Sequence, residues 1–118
     1  MRVIVTGDRY WEDKEIIEEE LSKLPKDTTI IQGECSFGGV DRFAKEIAFD
    51  LGFDVIGYYS NWIKNKESAD FIRNRKMLNE DPDLVLAFHN NIKKSRGTKD
   101  CIEQAKQRGI SVKIIRGE

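Results

Sequence analysis

Short apolar runs alternate along the chain with longer stretches in which apolar residues recur every three or four positions. The runs predict strands, and the unbroken β-branched run at residues 3–5 is typical of a parallel sheet covered on both faces. The predicted strands cover residues 3–5, 28–31, 54–58, 84–88 and 112–115. The run at residues 84–88 is entirely apolar, so we expect this strand to lie inside the sheet.

The stretches between the runs predict four helices, at residues 12–24, 40–51, 68–79 and 97–109. The second has the clearest helical spacing, from Val40 through Ala44 and Ile47 to Leu51. Pro25 ends the first helix. Residues 59–67 form a polar connection. The βαβαβαβαβ order predicts an α/β fold with a five-stranded parallel sheet and right-handed crossovers.

Composition narrows the class of protein. The 118 residues fit one domain, residues 1–118, and the net charge of −1 argues against a broadly basic nucleic-acid surface. The first apolar run stops before Gly7, so we expect no secretory signal, no membrane segment and a cytoplasmic protein. Cys35, Cys101 and the single histidine, His89, have no metal-ligand spacing, so we predict neither a metal site nor a bound cofactor.

The loop after the first strand carries Gly7, Asp8 and Arg9. Ligands of open α/β sheets bind beyond the carboxyl ends of the strands, which makes this loop a candidate binding site. Arg9 could instead be a solvated loop residue, but we favour the site. For Trp11, which follows in the same loop, we favour a core position against the first helix.

The loop after the second strand is rich in glycine, with Gly33, Gly38 and Gly39. Glycines before a helix can present backbone N–H groups to an anion. Asp41 follows in the first helical turn, where a ligand contact and a helix-capping role are equally open. The turn lacks the sequence of a Walker A loop and of a Gly-x-Gly-x-x-Gly loop, which argues against nucleoside triphosphate hydrolysis and ordinary nicotinamide binding.

The helix at residues 68–79 contains the consecutive polar residues Arg73, Asn74 and Arg75. Counting from Phe71 and Leu78 places Asn74 and Arg75 on the apolar stripe. A cation there needs a carboxylate or an anionic ligand as partner. A structural pair with an aspartate remains open, but we favour the ligand.

The loop after the fourth strand leads into Ser95, Arg96, Gly97 and Thr98. These residues suit a second phosphate, although serine and threonine are also common helix N-caps. Three aromatic residues between the third strand and the third helix either stack on a base or pack the loop; they are Tyr58, Tyr59 and Trp62.

Five motifs together resemble the YspA-type branch of the SLOG superfamily, in the right order and over nearly the whole chain. They are residues 6–11 (Thr-Gly-Asp-Arg-Tyr-Trp), the glycine turn ending at Asp41, residues 72–77 (Ile-Arg-Asn-Arg-Lys-Met), residues 83–88 (Asp-Leu-Val-Leu-Ala-Phe) and residues 95–98 (Ser-Arg-Gly-Thr). The resemblance implies a Rossmann-like three-layer α/β/α sandwich that binds a nucleotide or a nucleotide-derived, ADP-ribose-like ligand. Related proteins include the LOG phosphoribohydrolases and the DNA-processing protein A family.

The comparison with LOG enzymes separates binding from catalysis. Their Arg-Lys-x-x-Met motif is similar to the sequence at Arg75, so the resemblance implies a ligand-binding role for that arginine. The position of their catalytic glutamate corresponds to Cys101, which cannot act as a general acid or base as a carboxylate does. Asp100 and Glu103 are nearby carboxylates that do not align with that glutamate. We therefore assign no catalytic residue and expect a ligand sensor or sequestering protein.

Two other functions and one assembly state complete the sequence-based expectations. The first alternative is a phosphoribohydrolase or N-glycosidase acting on nucleoside monophosphates. Single-stranded nucleic-acid binding would need a stacking platform and a basic groove, and the charge balance argues against it. Because related folds often pair, we expect a homodimer by analogy.

Overall fold

The computed structural model describes residues 1–35 and 37–117; Ser36 of the glycine turn and Glu118 lie outside the described residues. The predicted element boundaries agree with the structure to within two residues at each end. The strands are β1 (Arg2–Gly7), β2 (Thr29–Gln32), β3 (Asp54–Gly57), β4 (Leu84–Phe88) and β5 (Ser111–Ile115). The helices are α1 (Lys14–Ser22), α2 (Gly39–Asp50), α3 (Trp62–Asn65), α4 (Ala69–Leu78) and α5 (Arg96–Gln107).

The five strands form one parallel sheet in the order β3-β2-β1-β4-β5. This confirms the predicted Rossmann-like α/β fold. β1 lies in the middle, where Val3 is in register with Ile30 of β2 on one side and with Leu84 of β4 on the other. β4 has a neighbour on each side, in agreement with its continuous apolar sequence.

Both faces of the sheet are covered, which makes the fold three layers thick. Alternate β1 side chains point to opposite faces: Val3 and Val5 join the core cluster under α1 and α2, whereas Ile4 joins the cluster under α4 and α5. The apolar sequence of β1 is therefore explained by the helices, which cover both faces of the sheet.

Trp11 is a core residue, as predicted. Its ring is buried and meets the Phe88 ring edge-on, with the centroids 5.9 Å apart. The indole N–H donates to the carbonyl oxygen of Asp13 over 2.7 Å, which satisfies its one polar group. This anchor fixes the loop between β1 and α1.

The connection at residues 59–67 is more ordered than its polar sequence predicts, because it contains α3 and a 3-10 turn at Lys66–Ser68. The Asn61 side chain caps α3 by accepting from the backbone N–H of Lys64. A four-residue helix is too short to show helical periodicity. No helix within the described residues has the length and apolar character needed to cross a membrane.

Candidate functional site: a cleft at the carboxyl edge of the sheet

A cleft of about 340 Å³ opens at the carboxyl edge of the sheet. Loops that follow β1, β2 and β3 line it together with α4 and the start of α5. In open parallel sheets this edge, near the point where the chain crosses to the other side of its first strand, is where ligands bind. The glycine turn, the Arg9 loop and the start of α5 converge here, as predicted. Eight predicted residues line the cleft: Gly7, Arg9, Gly33, Gly38, Asp41, Arg73, Gly97 and Thr98.

Arg73 is the cation that α4 directs into the cleft. Its side chain is only 11% exposed. Nε donates to Asn74 Oδ1 over 2.9 Å, and Nη1 donates to the carbonyl oxygen of Gly33 over 3.1 Å. Nη2 lies 3.7 Å from Asp70 Oδ1. Gly33 lies against this side chain, and a Cβ there would overlap the Arg73 guanidinium and displace it from its present position.

Asp41 is a buried carboxyl in the first turn of α2. Burial raises its pKa to about 6, although the Arg73 charge and the backbone N–H of Cys35 both act to lower it. The carboxylates of Asp70 and Glu34 raise its pKa further. A carboxyl that titrates near neutral pH can bind or release a proton in the cleft.

Asp70 lines the cleft and was missed by the sequence analysis. It stands three residues before Arg73 on α4 and accepts a 2.6 Å hydrogen bond from Ser60 Oγ. The i, i+3 spacing of an aspartate and an arginine was the available signal, because such residues are neighbours on a helix surface. Ser60 carries no comparable signal, since its partner lies on another element.

Glu34 is the third carboxylate of the cleft, and it is already paired. Lys45 Nζ lies 3.0 Å from both carboxylate oxygens, and Gln32 Nε2 donates to Oε1 over 2.8 Å. Partial burial pushes its pKa upward, but the hydrogen bonds from Lys45 and Gln32 outweigh burial and hold the pKa below its usual range. Glu34 is therefore ionised and charge-compensated at neutral pH.

Three largely exposed aromatic side chains also line the cleft. They are Phe37, Tyr59 and Trp62, which we call the aromatic rim. The Arg9 guanidinium lies 5.2 Å from the Phe37 ring centroid. Tyr58 does not belong to the rim, because it packs against the core and donates its hydroxyl to Glu80 over 3.0 Å. The packing interpretation of the aromatic residues thus holds for Tyr58 and fails for Tyr59 and Trp62.

A comparison with protein-family models finds a match to the YspA, cpYpsA-related SLOG family over residues 1–64, more than half of the chain. The chain belongs to this family. Among curated proteins, it is similar to the Gene 61 protein of Mycobacterium phage D29. The two are 29% identical over 120 residues, which cover 94% of this chain and 93% of the phage protein.

The part of the chain that matches the SLOG family holds 12 of the 16 residues that line the cleft. It includes Arg9, the glycine turn, Asp41 and the aromatic rim, whereas Arg73 and the start of α5 follow it. The other four lining residues, Asp70, Arg73, Gly97 and Thr98, follow residue 64. Three of them, all but Asp70, lie in the sequence motifs at residues 72–77 and 95–98.

Two residues predicted for the site, Asp8 and Gly39, support the loops of the cleft without lining it. Asp8 Oδ1 accepts from the backbone N–H of Tyr10 over 2.9 Å, and the Asp8 carbonyl accepts from Val40 N–H over 3.1 Å. Gly39 has φ +66°, and a Cβ there would overlap the backbone of Arg9 and Asp8. Both residues hold the Arg9 loop against the start of α2 rather than lining the cleft.

The first residues of α5 divide in the same way. Ser95 is the N-cap, and its Oγ accepts from the backbone N–H of Thr98 over 3.2 Å. The Arg96 guanidinium lies 5.5 Å from the Phe71 ring and does not line the cleft. The N-cap interpretation of Ser95 is therefore correct. Gly97 and Thr98 line the cleft, and phosphate binding by these two residues stays a prediction.

The predicted position of Arg75 is wrong. The side chain is exposed and does not line the cleft, while Asn74 is fully buried and Arg73 points into the site. The buried stripe of α4 is set by Ala69, Met77 and Leu78, whereas Phe71 lies half-buried on its flank. Counting from Phe71 therefore placed Asn74 and Leu78 correctly on the buried stripe and Arg75 wrongly. Asn74 supports Arg73 and is not a lining residue.

Cys101, at the position of the LOG glutamate, belongs to the core. It is fully buried, and burial raises the pKa of its thiol to about 12. Such a thiol neither exchanges protons near neutral pH nor acts as a nucleophile. Asp100 accepts hydrogen bonds from Asn74 and Gln104, Glu103 is exposed, and neither lines the cleft. Among the described residues, no group of three or more His, Cys, Asp or Glu side chains could hold a metal ion.

Proposed function

We propose that the cleft binds a nucleotide or a nucleotide-derived, ADP-ribose-like molecule, and that the protein senses or sequesters this ligand. The observation that carries the proposal is the meeting of Arg9, the glycine turn, Arg73 and the start of α5 at one cleft. Membership of the SLOG family supports it, because the sequence motifs of that family imply nucleotide-related ligands.

The donors for an anion come from the Arg9 loop and the start of α2. Within residues 1–35 and 37–117, no carboxylate pairs with Arg9, whose guanidinium stacks near Phe37 and Tyr10. Stacking uses the face of a guanidinium and leaves its in-plane N–H donors for a ligand. The N-cap of α2 is Gly38, which has no side chain to cap the helix. The Val40 N–H already donates to the Asp8 carbonyl, so a phosphate at this helix start would use the other N–H groups of the first turn and the positive end of the helix dipole.

The acceptors suit the sugar of such a ligand. Asp70 and Glu34 are carboxylates at least partly accessible to solvent, and ribose hydroxyl groups donate to carboxylates. The volume of about 340 Å³ lies within the range of small-molecule sites. Donors for phosphate and acceptors for hydroxyl groups therefore lie in one cleft of suitable size.

The experiment is calorimetric titration of ADP-ribose and adenosine 5′-monophosphate (AMP) into wild type, Arg9→Met and Arg108→Met. Arg108 is an exposed arginine at the end of α5 that does not line the cleft, so it controls for net charge. Because charged hydrogen bonds are lost, binding to Arg9→Met should be roughly 10- to 100-fold weaker than to wild type, and binding to Arg108→Met should stay near wild type. Absence of binding to wild type, or equal loss in both variants, would contradict the proposal.

One observation favours the second candidate, hydrolysis of an N-glycosidic bond. Asp41, with a pKa of about 6, shares the cleft with Asp70, so a proton donor and a carboxylate lie in the same cavity. The test is chromatographic detection of adenine released from AMP. Release at an enzyme-like rate that Asp70→Asn abolishes and Glu103→Gln leaves unchanged would establish this function.

A further inference from the structure

Resting on the proposed function, we propose that the aromatic rim is a stacking platform for the nucleobase of the ligand. Its three members are 69% (Phe37), 72% (Tyr59) and 53% (Trp62) exposed, and they line the cleft, unlike the other exposed aromatic residues Tyr10 and Phe49. The aromatic residues that serve the core, such as Trp11 and Phe88, are buried. The rim side chains therefore contribute little to folding and are available to a planar ring.

The backbone that carries Tyr59 and Trp62, two of the three rim residues, is held in place. Ser60, between Tyr59 and Asn61, donates to Asp70 inside the cleft, and Asn61 caps the short helix α3 that begins at Trp62. The carbonyl of Asn61 also accepts from the backbone N–H of Asn65 over 2.8 Å. A rim attached to the cleft by these bonds presents its rings without a large ordering cost on binding.

The charges near the rim favour a mononucleotide base over a nucleic-acid strand. Lys45 compensates Glu34, and Arg73 compensates Asp70, so the cleft offers no continuous basic track. The whole chain carries a net charge of −1. Aromatic platforms bind strands tightly only where a positive groove follows the backbone. The planar group that fits this site is the base of a small ligand.

The experiment compares AMP with ribose 5-phosphate, which has the same sugar phosphate without the base. The two proteins to compare are Trp62→Ala and Ile63→Ala. Ile63 is the next residue of the same helix, is 96% exposed and does not line the cleft, so it is a matched control. Because the affected side chains are exposed, both variants should melt at the wild-type temperature.

AMP should bind wild type more tightly than ribose 5-phosphate does. Trp62→Ala should weaken AMP binding by about 5- to 150-fold, the range for loss of one stacked aromatic ring, and should leave ribose 5-phosphate binding unchanged. Ile63→Ala should change neither. The chain has two tryptophans, of which Trp11 is buried and Trp62 is exposed. AMP should therefore quench the tryptophan fluorescence of wild type but not that of Trp62→Phe.

The failures are distinguishable. If AMP and ribose 5-phosphate bind equally and Trp62→Ala has no effect, the platform is wrong while the proposed function stands. If neither AMP nor ADP-ribose binds, both are wrong. Tighter binding of a single-stranded oligothymidylate than of AMP, with strong salt dependence, would overturn the platform in favour of nucleic-acid binding.

Discussion

The guanidinium of Arg73 is held from three directions by groups of its own chain. Asn74, the carbonyl oxygen of Gly33 and the carboxylate of Asp70 each contact a different nitrogen. Its charge also lowers the pKa of buried Asp41. Removing it would leave two carboxyl groups without their nearest cation, and such uncompensated buried charges are strongly destabilising.

We therefore expect Arg73→Met to lower the free energy of unfolding by about 3–5 kcal/mol at pH 7. Arg75→Met, on the exposed side of the same helix, should change it by less than about 0.5 kcal/mol. Urea denaturation of both variants measures the difference. At pH 4.5, where Asp41 is protonated, the loss in Arg73→Met should shrink. Equal effects of the two substitutions would show that Arg73 is not the supporting cation.

Asp41 makes stability depend on pH in the direction opposite to that of an ordinary salt-bridged aspartate. Its pKa rises from 3.8 to about 6 on folding, so between these values the folded state holds more protons than the unfolded state. Stability from this group is then fully present below pH 3.8 and falls as pH rises through 6. The total change is on the order of 2–3 kcal/mol.

The variant that isolates this effect is Asp41→Asn, which keeps the shape and cannot ionise. We expect it to gain stability relative to wild type at pH 8 and to lose that advantage near pH 4. Asp50→Asn, at an exposed position of the same helix, is the control and should show no such pH-dependent gain. Chemical denaturation across pH 4–8 gives the comparison. An advantage of Asp41→Asn that does not change with pH would refute the raised pKa.

Between elements, Asn74 is the polar link that joins α4 to α5. Its amide nitrogen donates to the Gly97 carbonyl over 2.9 Å and to Asp100 Oδ2 over 3.1 Å, while its oxygen accepts from Arg73. Gln104 donates to the same Asp100 oxygen over 2.6 Å. The chain of bonds fixes the cation of one helix relative to the first residues of the other.

Replacing Asn74 with alanine should lower the free energy of unfolding by about 2 kcal/mol, because three half-buried partners lose their hydrogen bonds to a buried side chain. It should also weaken ligand binding, since Arg73 loses its Nε contact. Asn79→Ala removes an exposed bond from Arg108 at the end of the same helix and should cost less than about 0.5 kcal/mol. Denaturation and AMP titration of both variants check this. A stable Asn74→Ala protein with unchanged affinity would contradict the link.

The elements that the sequence predicts well are those with a long or uniform pattern. α2 and β4 were predicted almost to the residue, because their apolar positions match one period throughout. α3 was missed because a single turn has no period. On α4 the sequence placed Asn74 correctly and Arg75 wrongly, because half-buried Phe71 looks the same in sequence as a core residue.

The site was predictable only as far as it follows from topology. The carboxyl ends of parallel strands must share an edge, so the convergence of Arg9, the glycine turn and the start of α5 could be derived. The partner of Ser60 and the exposure of Tyr59 and Trp62 depend on how the connection before α4 folds back. That is a property of tertiary packing, which local sequence does not encode.

At the scale of the whole molecule, the two cysteine thiols should become reactive under different conditions because they differ in burial. Cys101 lies in the core with a pKa of about 12, and Cys35 lies half-exposed in the glycine turn. We expect one thiol to react with Ellman's reagent in the native protein and the second only on global unfolding. Cys35→Ser should abolish the native reaction. Reaction of both thiols without denaturant would show that the core under α5 opens locally.

The position of β1 in the middle of the sheet has a consequence for synthesis on the ribosome. β1 pairs with β2 after a single helical connection. Its other edge pairs with β4, in which Leu84 lies 81 residues beyond its partner Val3. The half with Arg9 and the rim is therefore translated before Arg73 and Gly97. A ligand that contacts both halves would stabilise the product of the longest-range folding step, the pairing of β1 with β4. Nascent chains made in its presence would then complete that step more often.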